Sequence, residues 1–295
     1  MFTGVCAFPL TPMRREAVDV EALASLVARA AGANVESIGV LGSTGMYPYL
    51  DRGERASALR AAVDASGDIP VLAGIGALRT RDVLQYAADA QEAGAAALLL
   101  APVSYHRLTE SEVFHLFKAV TAEVERPVVV YDNPGTTGFT FSEEFHVRVA
   151  ELPRVAAVKI PPGTAGITAE RVGRLRALLP DSVALGISGD WIAAEALDAG
   201  CELWFSVLAG LFPEISVLLG DAALAGRRVD ARKRSDALAP LWNLFREHGS
   251  LRVIATAAML LGHAEAPVLP QPLRILEGDD VRRLQKALGE SGLLP

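Results

Sequence analysis

Lysine is scarce in this chain: Lys118, Lys159, Lys233 and Lys286 stand against twenty-four arginines. Cysteine is scarcer, with Cys6 and Cys201 alone, too few for a disulfide framework and without a CxxC spacing. No apolar run reaches the ~20 residues a membrane helix needs, and no signal-peptide pattern opens the chain. These absences give a cytoplasmic expectation with no membrane partner. Positive charge is also short: the net charge is −7 and the pI about 5.3. The densest basic stretches, RRVDARKR and RRLQK, have the look of solvated helix faces, which excludes a nucleic-acid surface. His106, His115, His146, His248 and His263 show neither metal-ligand spacing nor HExxH, so no metal is expected. No GxGxxG follows the first apolar run, which removes the main sign of a dinucleotide fold, and no cofactor is expected.

What is present is a large core and a regular alternation. Half of the 295 residues are hydrophobic (51%) and 21% are charged, so disorder is excluded. Eight apolar runs recur at intervals of roughly 20 to 35 residues, the length of a strand–helix unit. They are FTGVCAFPL (2–10), SIGVLGST (37–44), IPVLAGIG (69–76), AAALLLAP (95–102) and RPVVVYDNP (126–134), then RVAAVKI (154–160), SVALGISGD (182–190) and ELWFSVLAG (202–210). Amphipathic stretches lie between them, with Gly32, Gly67, Gly94 and Gly200 where helix C-caps belong. Apolarity that is continuous rather than alternating implies strands covered on both faces, as in a parallel sheet under helices. Eight such units predict an α/β fold, a closed (β/α)8 barrel over residues 1–224, with a helical extension over 225–295. APVLPQPLRIL (266–276) is expected to be a proline-rich connector. Cys6, inside the first run, is expected to be a small core residue.

In such a barrel, chemistry belongs to the C-terminal ends of the strands. Lys159 sits at one of them, at the end of VAAVKI, where an ammonium loses hydration and needs a partner or a task. A desolvated lysine can serve as a nucleophilic amine; a snorkelling lysine or a structural ion pair is the alternative. The other three lysines lie in polar, helix-like surroundings. Tyr131 ends the preceding strand, and adjacent parallel strands lie ~4.8 Å apart, so the two side chains can meet. A phenol both donates and accepts, which suits a proton shuttle, although a rim aromatic is the plainer reading. GSTG (42–45) combines small residues with the hydroxyls of Ser43 and Thr44, suited to a carboxylate or small phosphate, or to nothing beyond a turn. Tyr105 lies just past the fourth run and supplies a second phenol or packs over a loop. Phe205 forms an apolar wall beside the lysine or ordinary core.

GSTG after the second strand, YDNPG after the fifth, VKI at the sixth and GD after the seventh resemble the dihydrodipicolinate synthase/N-acetylneuraminate lyase family, in order and over essentially the whole chain. The resemblance implies a class I aldolase-type lyase. Lys159 then forms a Schiff base with pyruvate or another 2-keto acid, and Tyr131 relays protons. Ser43 and Thr44 hold the keto-acid carboxylate. An aldehyde is the second substrate, and a homo-oligomer, dimer or tetramer, is implied, with the Tyr105 region near an interface. Three positions depart from the family pattern. Met46 replaces a glutamate after the Gly-x-x-Gly loop, Thr136 replaces the arginine that grips a second carboxylate in dihydrodipicolinate synthases, and IPPG replaces a polar run after the lysine. The expectation is therefore a 2-keto-acid lyase or aldolase with the aldehyde unassigned. Its rivals are dihydrodipicolinate synthase proper, a keto-deoxy sugar-acid dehydratase or aldolase, and a non-catalytic ligand-binding barrel.

Overall fold

The computed structural model describes residues 2–162 and 169–294; Gly163, which closes IPPG, lies outside them. Each of the eight apolar runs supplies one barrel strand. They are β1 (Gly4–Ala7), then, after a two-stranded hairpin of β2 (Met13–Arg14) and β3 (Ala17–Val18), β4 (Ser37–Val40), β5 (Val71–Gly74) and β6 (Ala97–Leu100). β7 (Val128–Tyr131), β8 (Val155–Ile160), β9 (Ala184–Ile187) and β10 (Leu203–Ser206) follow. Neighbouring barrel strands are parallel, and the order β1-β10-β9-β8-β7-β6-β5-β4 closes on itself. The strands are shorter than the apolar runs, several of which continue into prolines such as Pro9 and Pro102 that cannot donate to a ladder. The β2–β3 hairpin has no counterpart in the sequence reading.

Helices α1 (Val20–Gly32), α2 (Arg52–Ala65), α3 (Thr80–Glu92), α4 (Glu110–Glu123), α5 (Pro134–Thr137), α6 (Glu143–Ala150), α7 (Ala169–Leu178), α8 (Ala193–Asp198) and α9 (Pro213–Leu224) connect and cover these strands. Their starts are chemically marked. Asp51 with Glu54 and Thr109 with Glu112 form reciprocal capping boxes on α2 and α4, and Ser142 caps α6. Gly67, Gly94 and Gly200 take positive φ after their helices, as expected of C-caps. Gly32 does not: it lies inside α1, and Asn34 adopts the left-handed conformation (φ 59°) two residues later. Asparagine tolerates that region because its short polar side chain can bond locally. Beyond Leu224 come α10 (Arg228–Ala237), α11 (Ala239–His248), α12 (Ser250–Leu260) and α13 (Asp279–Glu290), with residues 266–276 as an irregular connector between α12 and α13. That connector is tied back to the hairpin by the Met13 N–H donating to the Val268 carbonyl.

The strands bury two faces. Ile38, Val40, Val128, Val130, Val158 and Leu185 point outward into the layer under the helices. A second cluster fills the barrel: Cys6, Phe8, Leu72, Leu99, Val129, Tyr131, Ala157, Leu203 and Phe205. Alternate positions along the strands serve the two clusters, as the two-residue period requires, except at the start of β8, where a register shift puts Val155 and Ala157 in different clusters. Large rings fit inside only where neighbours have no side chain. A Cβ on Gly39 would lie 2.3 Å from the Phe8 ring, and one on Gly186 would lie 2.4 Å from the Phe205 ring.

The interior is dry enough to govern titration. Burial pushes the Cys6 thiol up to about 12, against the smaller opposing effects of its hydrogen bond with Ser37 and the charge of Lys159. The folded state therefore holds this proton at pH values where the unfolded chain releases it. The resulting stability is complete below pH 9 and is lost as pH rises toward 12. Between pH 8 and 10.5, denaturant midpoints should show the parent protein losing about 2 kcal/mol more than Cys6→Ala. For packing, Gly39→Ala should lower stability by about 1–3 kcal/mol, and Phe8→Leu in the same chain should recover part of that loss. Urea unfolding of the single and double variants checks it.

Candidate active site

At the C-terminal mouth of the barrel the β7–β8 register sets Tyr131 directly opposite Lys159. Lys159 is 4% exposed, and among the described residues no carboxylate pairs with it. Its Nζ instead faces three rings, at 4.0 Å from the Tyr131 centroid, 4.2 Å from Phe8 and 5.1 Å from Phe205. Ring quadrupoles offset part of the desolvation cost of a cation without fixing its protons in an ion pair. The Nζ is thus buried among aromatic faces. Phe205 belongs to the inner core cluster and also faces Lys159. Phe8 is the wall the sequence reading missed; its signal was its place just past the first barrel strand.

The Tyr131 hydroxyl reaches Ser43 in the loop after β4 and Asn133 at the start of α5. It lies 3.2 Å from Ser43 Oγ and accepts a hydrogen bond from Asn133 Nδ2 at 2.9 Å. Asn133 Nδ2 also donates to Ser43 Oγ at 3.3 Å. Ser43, Tyr131 and Asn133 thus form a polar triangle beside the aromatic cage. Thr44 is buried in the same loop. Positive φ in this loop falls on Leu41 (56°) and Met46 (53°) rather than on Gly42 or Gly45. Met46, at the position of the family's glutamate, is fully buried and carries no charge to the site. Tyr105 is not part of the cluster within one chain: it is 89% exposed and packs edge-on against His106.

The flanks of Lys159 are pinned from both sides. The Asp132 N–H donates to the Lys159 carbonyl, and the Ser188 N–H and Oγ both donate to the Ile160 carbonyl. Asp190, the acid of the GD pair, is fully buried and accepts from Ser206 Oγ (2.7 Å) and the Leu208 N–H (3.0 Å). Burial raises its pKa, and those donors pull it back only in part. Thr136 is exposed, and its hydroxyl donates to the Asn133 carbonyl, so it offers no grip for a second carboxylate. Glu247, His248 and Asp280 bring candidate metal ligands within 4.8 Å of one another, but they sit on α11 and α13, where Arg283 already pairs with both carboxylates.

The dihydrodipicolinate synthetase family model matches residues 1–291. A dihydrodipicolinate synthase structure from Agrobacterium tumefaciens str. C58 superposes with a TM-score of 0.95, at 44% identity and 98% coverage of both chains. The chloride-inhibited dihydrodipicolinate synthase of Acinetobacter baumannii, solved with pyruvate, gives 0.93 at 26% identity and 100% coverage of both. The curated 4-hydroxy-tetrahydrodipicolinate synthase of Nitrobacter hamburgensis is 30% identical over 295 residues, covering 99% of this chain and 98% of its own.

The loop that carries Ser43 and Thr44 hangs on a buried arginine. Arg55 on α2 donates to the carbonyls of Tyr47 (2.6 Å), Gly76 (3.0 Å) and Leu50 (3.4 Å), and its guanidinium stacks on Tyr86 at 4.1 Å. Arg55→Met keeps most of the volume but leaves three carbonyls short of a donor. It should cost about 3 kcal/mol of stability, which thermal melts of the parent and the variant check.

Proposed function

Because the chain belongs to the dihydrodipicolinate synthetase family, we propose that it is a lyase in which Lys159 forms a Schiff base with pyruvate or another 2-keto acid. The observation that carries this reading is the unpaired amine at the mouth of the barrel, beside the register-matched Tyr131. Nζ attacks the keto carbon to give a carbinolamine. A proton supplied through Tyr131 lets its hydroxyl leave as water, and the protonated imine that remains is an electron sink. Loss of a proton from the adjacent carbon gives an enamine that adds to an aldehyde; in reverse, the same species is released by C–C cleavage. The hydroxyls of Ser43 and Thr44 are assigned to the keto-acid carboxylate. Phe8 and Phe205 keep water from the amine.

The aldehyde partner is left open by Thr136, since a hydroxyl already bonded to a backbone carbonyl cannot replace a bidentate arginine. A homo-oligomer, dimer or tetramer, is proposed with exposed Tyr105 at a contact between copies, where it approaches a site that it does not reach in its own chain. Two free, buried thiols suit a cytoplasmic setting. Among the described residues, no helix is long and apolar enough to cross a membrane.

Borohydride reduction in the presence of pyruvate, followed by peptide mass spectrometry, should place a reduced pyruvyl adduct on Lys159. Lys159→Ala should abolish the adduct, and Tyr131→Phe should slow turnover by roughly 10²- to 10⁴-fold. An adduct only with longer 2-keto sugar acids would transfer the assignment to that substrate class. No adduct with any keto acid would leave a non-catalytic ligand-binding barrel.

A further inference from the structure

Asn133 opens the short helix α5, a place where an asparagine side chain normally caps. Here it does not: the side chain makes no capping bond. The residue is held instead through its carbonyl, which accepts from the Thr136 and Thr137 N–H groups (3.1 and 3.0 Å) and from the Thr137 hydroxyl (3.0 Å). The backbone is fixed, and the carboxamide is turned inward onto Tyr131 and Ser43. The favourable capping bond an asparagine makes elsewhere is absent here, and its side chain contacts Tyr131 and Ser43 instead.

We propose that Asn133 is a positioning residue for proton transfer by Tyr131: its Nδ2 donates to the phenol oxygen and directs the phenol's own proton away from Asn133 and toward the reacting carbinolamine. The inference rests on the Schiff-base reading above. A side-chain NH2 has two donors and no acceptor, so it cannot take a proton from either hydroxyl. When Tyr131 gives its proton to the departing hydroxyl, charge develops on the phenol oxygen, and a fixed N–H at 2.9 Å is already aimed there. Ser43 Oγ, which accepts from the same nitrogen, is left with its own proton free to follow along the Ser43–Tyr131 contact. The titratable groups around this triangle are Lys159 on β8, Tyr47 in the loop after β4, and Asp132, which lies 3.3 Å from buried His146.

The test is the rate of imine formation, read by quenching a pyruvate mixture with borohydride at successive times and measuring the trapped fraction. This step needs no aldehyde. Asn133→Ala should slow trapping roughly 10- to 100-fold while the pyruvate concentration for half-maximal rate moves by less than about 3-fold. Asn133→Asp keeps the shape but puts an acceptor against the phenol. It should be slower still at neutral pH and recover as pH falls and its carboxyl gains a proton to donate, a pH dependence that a merely structural role would not create. An unchanged trapping rate in Asn133→Ala, or full speed at neutral pH in Asn133→Asp, would overturn the proposal. So would a loss in either variant that tracks a fallen melting temperature. If the parent protein traps no keto acid, the Schiff-base reading itself fails, which is a different result from variants that trap as fast as the parent.

Discussion

A lysine amine inside a dry barrel is the constraint on which the rest of this structure depends. A lysine side chain at 4% exposure, with no carboxylate partner among the described residues, has exchanged water for protein without a countercharge. What replaces the water is a cage of three rings, from Phe8, Tyr131 and Phe205. The cage needs space, and two glycines give it, one on β4 beside β1 and one on β9 beside β10: the rings occupy the volume that side chains on Gly39 and Gly186 would take. Core packing and site chemistry are therefore one problem in this protein. A methyl group on β4 or β9 would move a ring that faces the amine.

Position follows from the same logic. Tyr131 and Lys159 meet because β7 and β8 are parallel neighbours in a fixed register, and a slip of one residue would turn one of them out under the helices. The ends of β8 and β9 are then tied together by Ser188, and the loops after β9 and β10 by Asp190. Burying the Asp190 carboxylate is unfavourable, as the rise in its pKa shows, and three donors from the β10 side offset that cost. Its role is geometric: it holds the rim beside the lysine without touching the amine.

The barrel and the two central residues were legible because they depend on local pattern. Eight apolar runs at strand–helix spacing fix the strand count, and a lone lysine at a strand end stands out in a chain with four lysines. Tyr131 followed from adjacency, and Phe205 from the same rule. Phe8, Arg55 and Asn133 were not legible in the same way. Each acts across the fold, Phe8 from just past β1 into the barrel interior, Arg55 through three loop carbonyls and Asn133 through the Ser43 hydroxyl. Nothing in a single sequence separates an asparagine that caps its helix from one that turns away from it. Gly32 shows the same limit at smaller scale, because the helix ran one residue further and Asn34 took the left-handed turn.

The departures from the family pattern gain physical meaning once these contacts are placed. Met46 is in the core with a strained left-handed backbone, so the loop after β4 brings hydroxyls and no charge to the site. Thr136 spends its hydroxyl on the Asn133 carbonyl and so helps to hold the residue that contacts Tyr131. Pro162, from the turn after the lysine, packs so closely on Gly189 that a Cβ there would lie 2.8 Å from its ring. No cation thus stands at Thr136, while Lys159, Tyr131 and their aromatic neighbours remain packed together at the mouth of the barrel. On the proposed mechanism the imine depends on Lys159 and Tyr131 while the aldehyde meets the Thr136 side of the site, so a change of aldehyde need not disturb the imine.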